Sequence, residues 1–253
     1  MFRVAIPARH ASTRLPGKPL AMLAGEPMIL HVHRQASRSG AVEVVVATDD
    51  ERIRSVCAAA GIDVEMTGPE LPSGTDRLAA LAARRGWADD SIVVNLQGDE
   101  PLMPPALIDQ VAALLAGDET AAIATLATSI ASRAEFMDPN VVKVVSRTGG
   151  QALYFSRAPI PCHRDPADGA AATSHAEARR HLGIYAYRVA ALRRVAALPP
   201  SPLELHERLE QLRALQAGMT ILVADAVEPP GPGVDTAADL ARVEALWRSG
   251  RGS

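Results

Sequence analysis

The chain has 253 residues, 48% of them hydrophobic, enough to bury a full core as one large domain or a domain with a sizeable insertion, which excludes a disordered polymer. Its 26 Lys and Arg against 29 Asp and Glu leave a formal charge of −3, so it has no general attraction for nucleic acid or an anionic membrane, and any anion site must be local. Met1, Phe2 and Arg3 lead straight into an apolar strand with no signal core, no apolar run reaches the ~18 residues of a membrane span, and Cys57 and Cys162 lack partners at zinc-ligand spacing. A cytoplasmic protein without membrane insertion is expected, with Cys57 as a small core residue.

Apolar runs of strand length alternate with helical patterns through the first half, the signature of a parallel sheet built from strand–helix–strand units. Strands are expected over 4–7, 42–47, 62–66 and 91–96, buried on both faces because they are β-branched and lack polar alternation. Pro27 suits the first turn of a helix carrying Met28, Ile29, Val32 and Ala36, and Asp49 or Asp50 can cap the next, with Ile53, Val56, Ala59 and Ala60 on its apolar side. A helix over 105–115 follows. The pattern then loosens into strand-like runs at 121–128, 141–146, 152–155 and 183–187, which suggest a mixed sheet edge or a β-rich insertion. The stretch 161–180 is the least regular and reads as a mobile loop or lid. A helix around Leu205, Leu209, Leu212 and Leu215, a strand over 221–224, a last helix with Leu240, Val243, Leu246 and Trp247, and a frayed tail at 248–253 close the chain.

Four polar clusters fall after strands, where ligands sit in open α/β sheets. The first, residues 8–20, brings Arg9, Arg14 and Lys18 together with Ser12, Thr13 and Gly17, which is the build of a triphosphate cradle: fixed cations beside backbone N–H groups that can approach phosphate oxygens. It is not a P-loop, because the first glycine of that motif is absent and Pro19 stands where its metal-binding hydroxyl belongs. Asp99, leaving a buried strand, is the first choice of Mg²⁺ ligand, since Mg²⁺ is typically held by one or two carboxylates plus substrate phosphates. Asp235 can supply the second carboxylate, or merely cap the final helix with Thr236. Glu100 reads as a turn residue and Thr48-Asp49-Asp50 as a helix cap.

The run Pro7-Ala8-Arg9-His10-Ala11-Ser12-Thr13-Arg14-Leu15-Pro16-Gly17-Lys18-Pro19-Leu20 resembles the amino-terminal signature of the 3-deoxy-manno-octulosonate (Kdo) cytidylyltransferase family. Further blocks match the family in sequence and order over nearly the whole chain: Ala47-Thr48-Asp49, Ser73-Gly74-Thr75-Asp76-Arg77, Asn95-Leu96-Gln97-Gly98-Asp99-Glu100-Pro101, Tyr154-Phe155-Ser156-Arg157, His181-Leu182-Gly183-Ile184-Tyr185, Glu210-Gln211-Leu212-Arg213 and Gly233-Val234-Asp235-Thr236. The resemblance implies a Rossmann-like nucleotide-diphospho-sugar transferase fold, one domain with a CTP-binding half (1–120), an acceptor-binding and dimerising segment (121–220) and a closing strand and helix (221–253), and a homodimer. It implies transfer of CMP from CTP to Kdo for lipopolysaccharide synthesis. Arg9, Ser12, Thr13 and Lys18 would hold the triphosphate, Lys18 facing charge that builds at the α-phosphorus. Ser73 and Arg77 would lie by the cytosine, Asp99 and Asp235 would bind Mg²⁺, and Gln97, Arg157, His181, Tyr185, Glu210 and Gln211 would hold the acceptor. The competing readings are a cytidylyltransferase for another acidic sugar or an amino variant of Kdo, and a nucleotide-binding module without turnover. By periodicity alone Glu210 and Gln211 belong to a solvated helix face.

Overall fold

The computed structural model describes residues 1–11, 14–162 and 177–249. In chain order, β1 (Phe2–Ala8) leads through a loop and a single 3₁₀ turn to a two-strand hairpin, β2 (Met22–Leu23) and β3 (Glu26–Pro27), then α1 (Met28–Ser37), β4 (Glu43–Thr48), α2 (Glu51–Ala59), β5 (Val64–Met66), α3 (Gly74–Arg84), β6 (Ile92–Asn95) and α4 (Pro105–Ala116). The second half holds β7 (Ile123–Ser129), α5 (Arg133–Met137), β8 (Lys143–Ser146), β9 (Ala152–Ser156), β10 (Arg179–Arg188), α6 (Val189–Ala197), α7 (Pro202–Glu207), α8 (Gln211–Gln216), β11 (Ile221–Asp225) and α9 (Ala237–Arg248).

The main path of the sheet runs β11-β7-β10-β6-β1-β4-β5. Along it β5, β4, β1 and β6 are mutually parallel, as are β7 and β11, while β10 runs antiparallel between β6 and β7. β8 and β9 extend from the outer half of β10 as an antiparallel pair. The α/β fold with a mostly parallel central sheet and a β-rich second half is thus present. β10 is longer than the expected strand: it opens at Arg179, so the last two residues of the stretch read as irregular are sheet, and positions 163–176 lie outside the described residues. The tail at 250–253 also lies outside them, and Arg248 belongs to α9.

Side chains alternate across the strands and feed two cores. From β1, β4 and β6, Val4, Ile6, Val46, Ile92 and Val94 point to one face, where Ile29 of α1, Ile53 and Cys57 of α2 and Leu107 of α4 cover them. Ala5, Val45, Ala47 and Val93 point to the other, under Leu78 and Leu81 of α3, Leu192 of α6 and Leu212 of α8. No polar alternation survives in strands covered on both faces, which is why they read as continuous apolar runs. Two helices of this second layer, α3 and α6, are not apparent from periodicity. In α3 the polar start Ser73-Gly74-Thr75-Asp76 reads as loop, yet Ser73 caps the helix by accepting from the Asp76 N–H at 3.2 Å. The expected helix around Leu205–Leu215 is two helices, broken where Arg208 takes the left-handed conformation at φ 54°. Among the described residues no helix is long and apolar enough to cross a membrane.

Candidate active site

The carboxyl ends of β1 and β6, with the start of α3 and the segment before α9, open into a cleft of about 410 Å³. Its floor depends on two glycines. Gly17 sits at φ 67°, where it donates its N–H to the His10 carbonyl at 3.1 Å and starts the 3₁₀ turn Lys18–Leu20. Gly98 lets the turn after β6 close on β1, since a Cβ there would stand 3.0 Å from the Pro7 carbonyl oxygen. The resulting geometry brings three distant parts of the chain together. Lys18 Nζ donates to Asp99 Oδ2 at 2.7 Å and to Asp235 Oδ1 at 2.9 Å, and Arg14 Nη2 donates to the same Asp235 oxygen at 2.9 Å. Burial works against the Lys18 ammonium, but the charges and hydrogen bonds of Asp99 and Asp235 outweigh it and hold its pKa above the ordinary value.

Asp235 is placed by the start of α9 without serving as its cap. Thr236 is the cap: its hydroxyl accepts from the Asp239 N–H at 3.2 Å while the Asp239 carboxylate accepts from the Thr236 N–H at 3.0 Å. The Val234 N–H donates to the Asp99 carbonyl at 2.9 Å, which locks this segment beside the turn after β6. Both carboxylates are therefore free to serve the cleft. Among the described residues no group of three or more His, Cys, Asp or Glu gathers to hold a metal alone. Asp99 and Asp235 are the residues that could hold a divalent ion here, being the one or two carboxylates Mg²⁺ typically takes beside substrate phosphates. Next to them burial raises the Glu100 pKa to about 8, with Asp99 adding to the rise and Arg180 opposing it.

On the opposite wall, Arg9 Nη1 reaches the Pro72 carbonyl at 3.4 Å, and Ser73 lies at the first turn of α3. Arg77 lines the cleft but is buried, and its guanidinium is committed to Asp49 at 2.7 Å and to Thr67 Oγ1. Asp50, as expected, caps α2. Asp49 instead pins Arg77. Ser12 and Thr13 lie outside the described residues.

Beyond Gln97, which lines the cleft and donates to Asn95 Oδ1 at 3.1 Å, a polar and aromatic row runs under the second layer. Ser73 Oγ donates to Glu210 Oε1 at 2.8 Å, and burial raises the Glu210 pKa. Tyr185 pairs opposite Asn95 across β10 and β6, with its ring 5.2 Å from His181 and 5.8 Å from Tyr187. His181 also stands edge-on to Phe155 at 5.0 Å. Gln211 is 9% exposed and its Nε2 has no hydrogen-bond partner. Glu210 and Gln211 are thus not a solvated face; the break at Arg208 turns them inward, a rotation that periodicity through Leu205, Leu209 and Leu212 cannot reveal. Arg157 is held by the main chain: its Nε donates to the Glu207 carbonyl at 2.6 Å, Nη1 to Pro139 at 2.9 Å and Nη2 to Arg208 at 3.4 Å. Arg14, read from the sequence as one of the cations of the first loop, bonds Asp235 here, whereas Asp49 was read only as a helix cap and its hold on Arg77 was missed by motif and spacing.

A layered α/β sheet with a cationic loop after its first strand and two carboxylates across the cleft has the architecture of a nucleotidyltransferase. The cytidylyltransferase family model matches residues 4–221. The 3-deoxy-manno-octulosonate cytidylyltransferase of Thioalkalivibrio sulfidiphilus is 54% identical over 98% of this chain and 99% of its own, and that of Alkalilimnicola ehrlichii is 57% identical over 97% and 95%. A solved CMP:2-keto-3-deoxy-manno-octonic acid synthetase complexed with CTP superposes with a TM-score of 0.89 at 42% identity, covering 99% of this chain and 100% of that one. A cytidylyltransferase structure from Leptospira borgpetersenii, 16% identical over 97% of this chain and 86% of its own, shares the fold with a TM-score of 0.63. The chain belongs to the cytidylyltransferase family and, within it, to the 3-deoxy-manno-octulosonate cytidylyltransferases.

Proposed function

We propose that this chain carries out its family's reaction, 3-deoxy-manno-octulosonate cytidylyl transfer, with CTP in the cleft beside Lys18 and Kdo on the row from Gln97 to Gln211. The hydroxyl oxygen of Kdo forms a bond to the α-phosphorus as its O–H bond breaks and the proton passes to solvent, the bond from that phosphorus to the bridging oxygen breaks, and pyrophosphate leaves. The observation that carries this reading is the convergence of Asp99 and Asp235 on Lys18 Nζ at 2.7 and 2.9 Å. Both substrates are anions, so the barrier is charge and alignment, and preorganised cations supply most of the rate.

Arg9, Arg14 and Lys18 bind and orient the triphosphate, with Ser12 and Thr13 as further donors, and Lys18 faces the charge building at the α-phosphorus. Mg²⁺, held by Asp99 and Asp235 together with substrate phosphates, would offset charge on the transferred group and the leaving group. Ser73 and Arg77 stand by the cytosine. Gln97, Tyr185, His181, Glu210 and Gln211 meet the sugar, the unpaired Gln211 amide being the strongest structural support among them. Arg157 joins them through Nη2, its least committed donor. We assign 1–120 to CTP, 121–220 to the acceptor and to homodimer formation, and 221–253 to closure, in a cytoplasmic enzyme. Exposed Met137, Leu153, Leu203 and Leu205 support the dimer surface on the middle segment. The test is Mg²⁺-dependent pyrophosphate release with CTP and Kdo. No release with Kdo, but release with another acidic sugar, would move the acceptor assignment.

A further inference from the structure

Thr125 lies on β7 with no exposed surface, and its hydroxyl is crowded by three groups that each want a hydrogen bond. β10 is irregular between Leu182 and Tyr185, and this turns two carbonyls toward Thr125: Oγ1 lies 2.7 Å from the Ile184 oxygen and 3.1 Å from the Leu182 oxygen. The third neighbour is His181 Nε2 at 3.0 Å. A threonine hydroxyl has one proton and two lone pairs, while a carbonyl can only accept. At 2.7 Å two oxygens repel unless that proton lies between them. The Thr125 proton is therefore spent on the carbonyls, and Oγ1 has only lone pairs left for the imidazole.

From this we infer that Thr125 is a positioning residue: it fixes His181 as the neutral tautomer protonated on Nε2, and leaves Nδ1 as a bare lone pair that accepts a hydrogen bond from a hydroxyl of the acceptor sugar rather than meeting its carboxylate. The inference rests on the reading of His181 as an acceptor-binding residue. Among the described residues nothing hydrogen-bonds Nδ1, and the flanking rings of Phe155 and Tyr185 hold the imidazole plane. Burial, reinforced by Arg180, lowers the His181 pKa to about 3, so the ring stays neutral wherever the enzyme works. A neutral ring with a free lone pair repels a carboxylate and suits an O–H donor.

Ring-nitrogen NMR of the ¹⁵N-labelled full chain reads the tautomer without reference to activity. The expected spectrum has His181 Nε2 protonated and Nδ1 bare; a proton on Nδ1 overturns the inference. Thr125→Val should populate the other tautomer and raise the KM for Kdo about 2- to 10-fold, the worth of one neutral hydrogen bond, with the KM for CTP unchanged. Thr125→Ser should restore both the spectrum and the KM, and Thr125→Val should add nothing in a His181→Ala background. A Thr125→Val protein with the altered tautomer and an unchanged KM for Kdo also overturns it. If that variant does not fold, the wild-type spectrum and Thr125→Ser still decide. Absence of Kdo-dependent pyrophosphate release in the wild type would remove the functional reading instead, and the tautomer would be read regardless.

Discussion

At the scale of single residues, the charges we assign to chemistry lie beside charges that hold the fold. Asp99→Asn should abolish turnover with the fold intact, the loss appearing in kcat, because its carboxylate bonds Lys18 and caps no helix. Near wild-type rates at ordinary Mg²⁺ would show that Asp99 is no essential ligand. Asp235, which we propose as a metal ligand, stands beside Thr236, which caps α9. Asp235→Asn should remove activity at an unchanged melting temperature, whereas Thr236→Ala should keep the rate and cost about 1 kcal/mol of stability through the lost cap. The reverse pattern would make Asp235 a structural residue. Lys18→Met should lose several kcal/mol of transition-state stabilisation, about the worth of a preorganised charge aimed at developing charge, and more of kcat than of CTP affinity. The choice between ligand and cap for Asp235 could not be made from the sequence, since either residue of an Asp-Thr pair can cap; only the bond from Thr236 to Asp239 settles which one does.

Among elements, the β8–β9 pair and the α7–α8 break are tied by a buried cation. Lys143 is fully buried on β8, and its Nζ donates to three carbonyls, those of Asp138 at 2.9 Å, Val141 at 2.6 Å and Arg157 at 2.7 Å. Arg157 in turn grips Glu207 and Arg208, one residue short of Leu209 and two short of Glu210. Lys143→Met should destabilise by about 1–3 kcal/mol for each carbonyl left without a donor, and raise the KM for Kdo while sparing CTP. Equal damage to both substrates, read by calorimetry and initial rates, would mean the tie does not act on the acceptor side alone. Such connections explain what was legible. The helices α1, α2, α4 and α9 show their period openly, and β1, β4, β5 and β6 show as continuous apolar runs. α3 hides behind a polar first turn, and the inward turn of Glu210 and Gln211 depends on one left-handed residue, Arg208, whose conformation no propensity demands.

For the molecule as a whole, acidification should unfold it from an early point. Burial lowers His181 from an ordinary 6.5 to about 3 and lowers His31 in the same direction, so as pH falls below 6.5 the unfolded chain takes up protons before the folded one. The His181 contribution is complete above about pH 6.5 and falls away as pH drops from there toward 3. Melting temperature against pH should decline through this window and flatten in His181→Gln; an identical slope would place the effect elsewhere. The cleft also has a timetable. Lys18 and Asp235 meet across 217 positions of sequence, and synthesis runs from the amino end, so the loop, the sheet and most of both cores are made before the second carboxylate exists. A chain halted anywhere short of residue 235 holds Lys18 and Asp99 without Asp235, the second carboxylate we propose for the site.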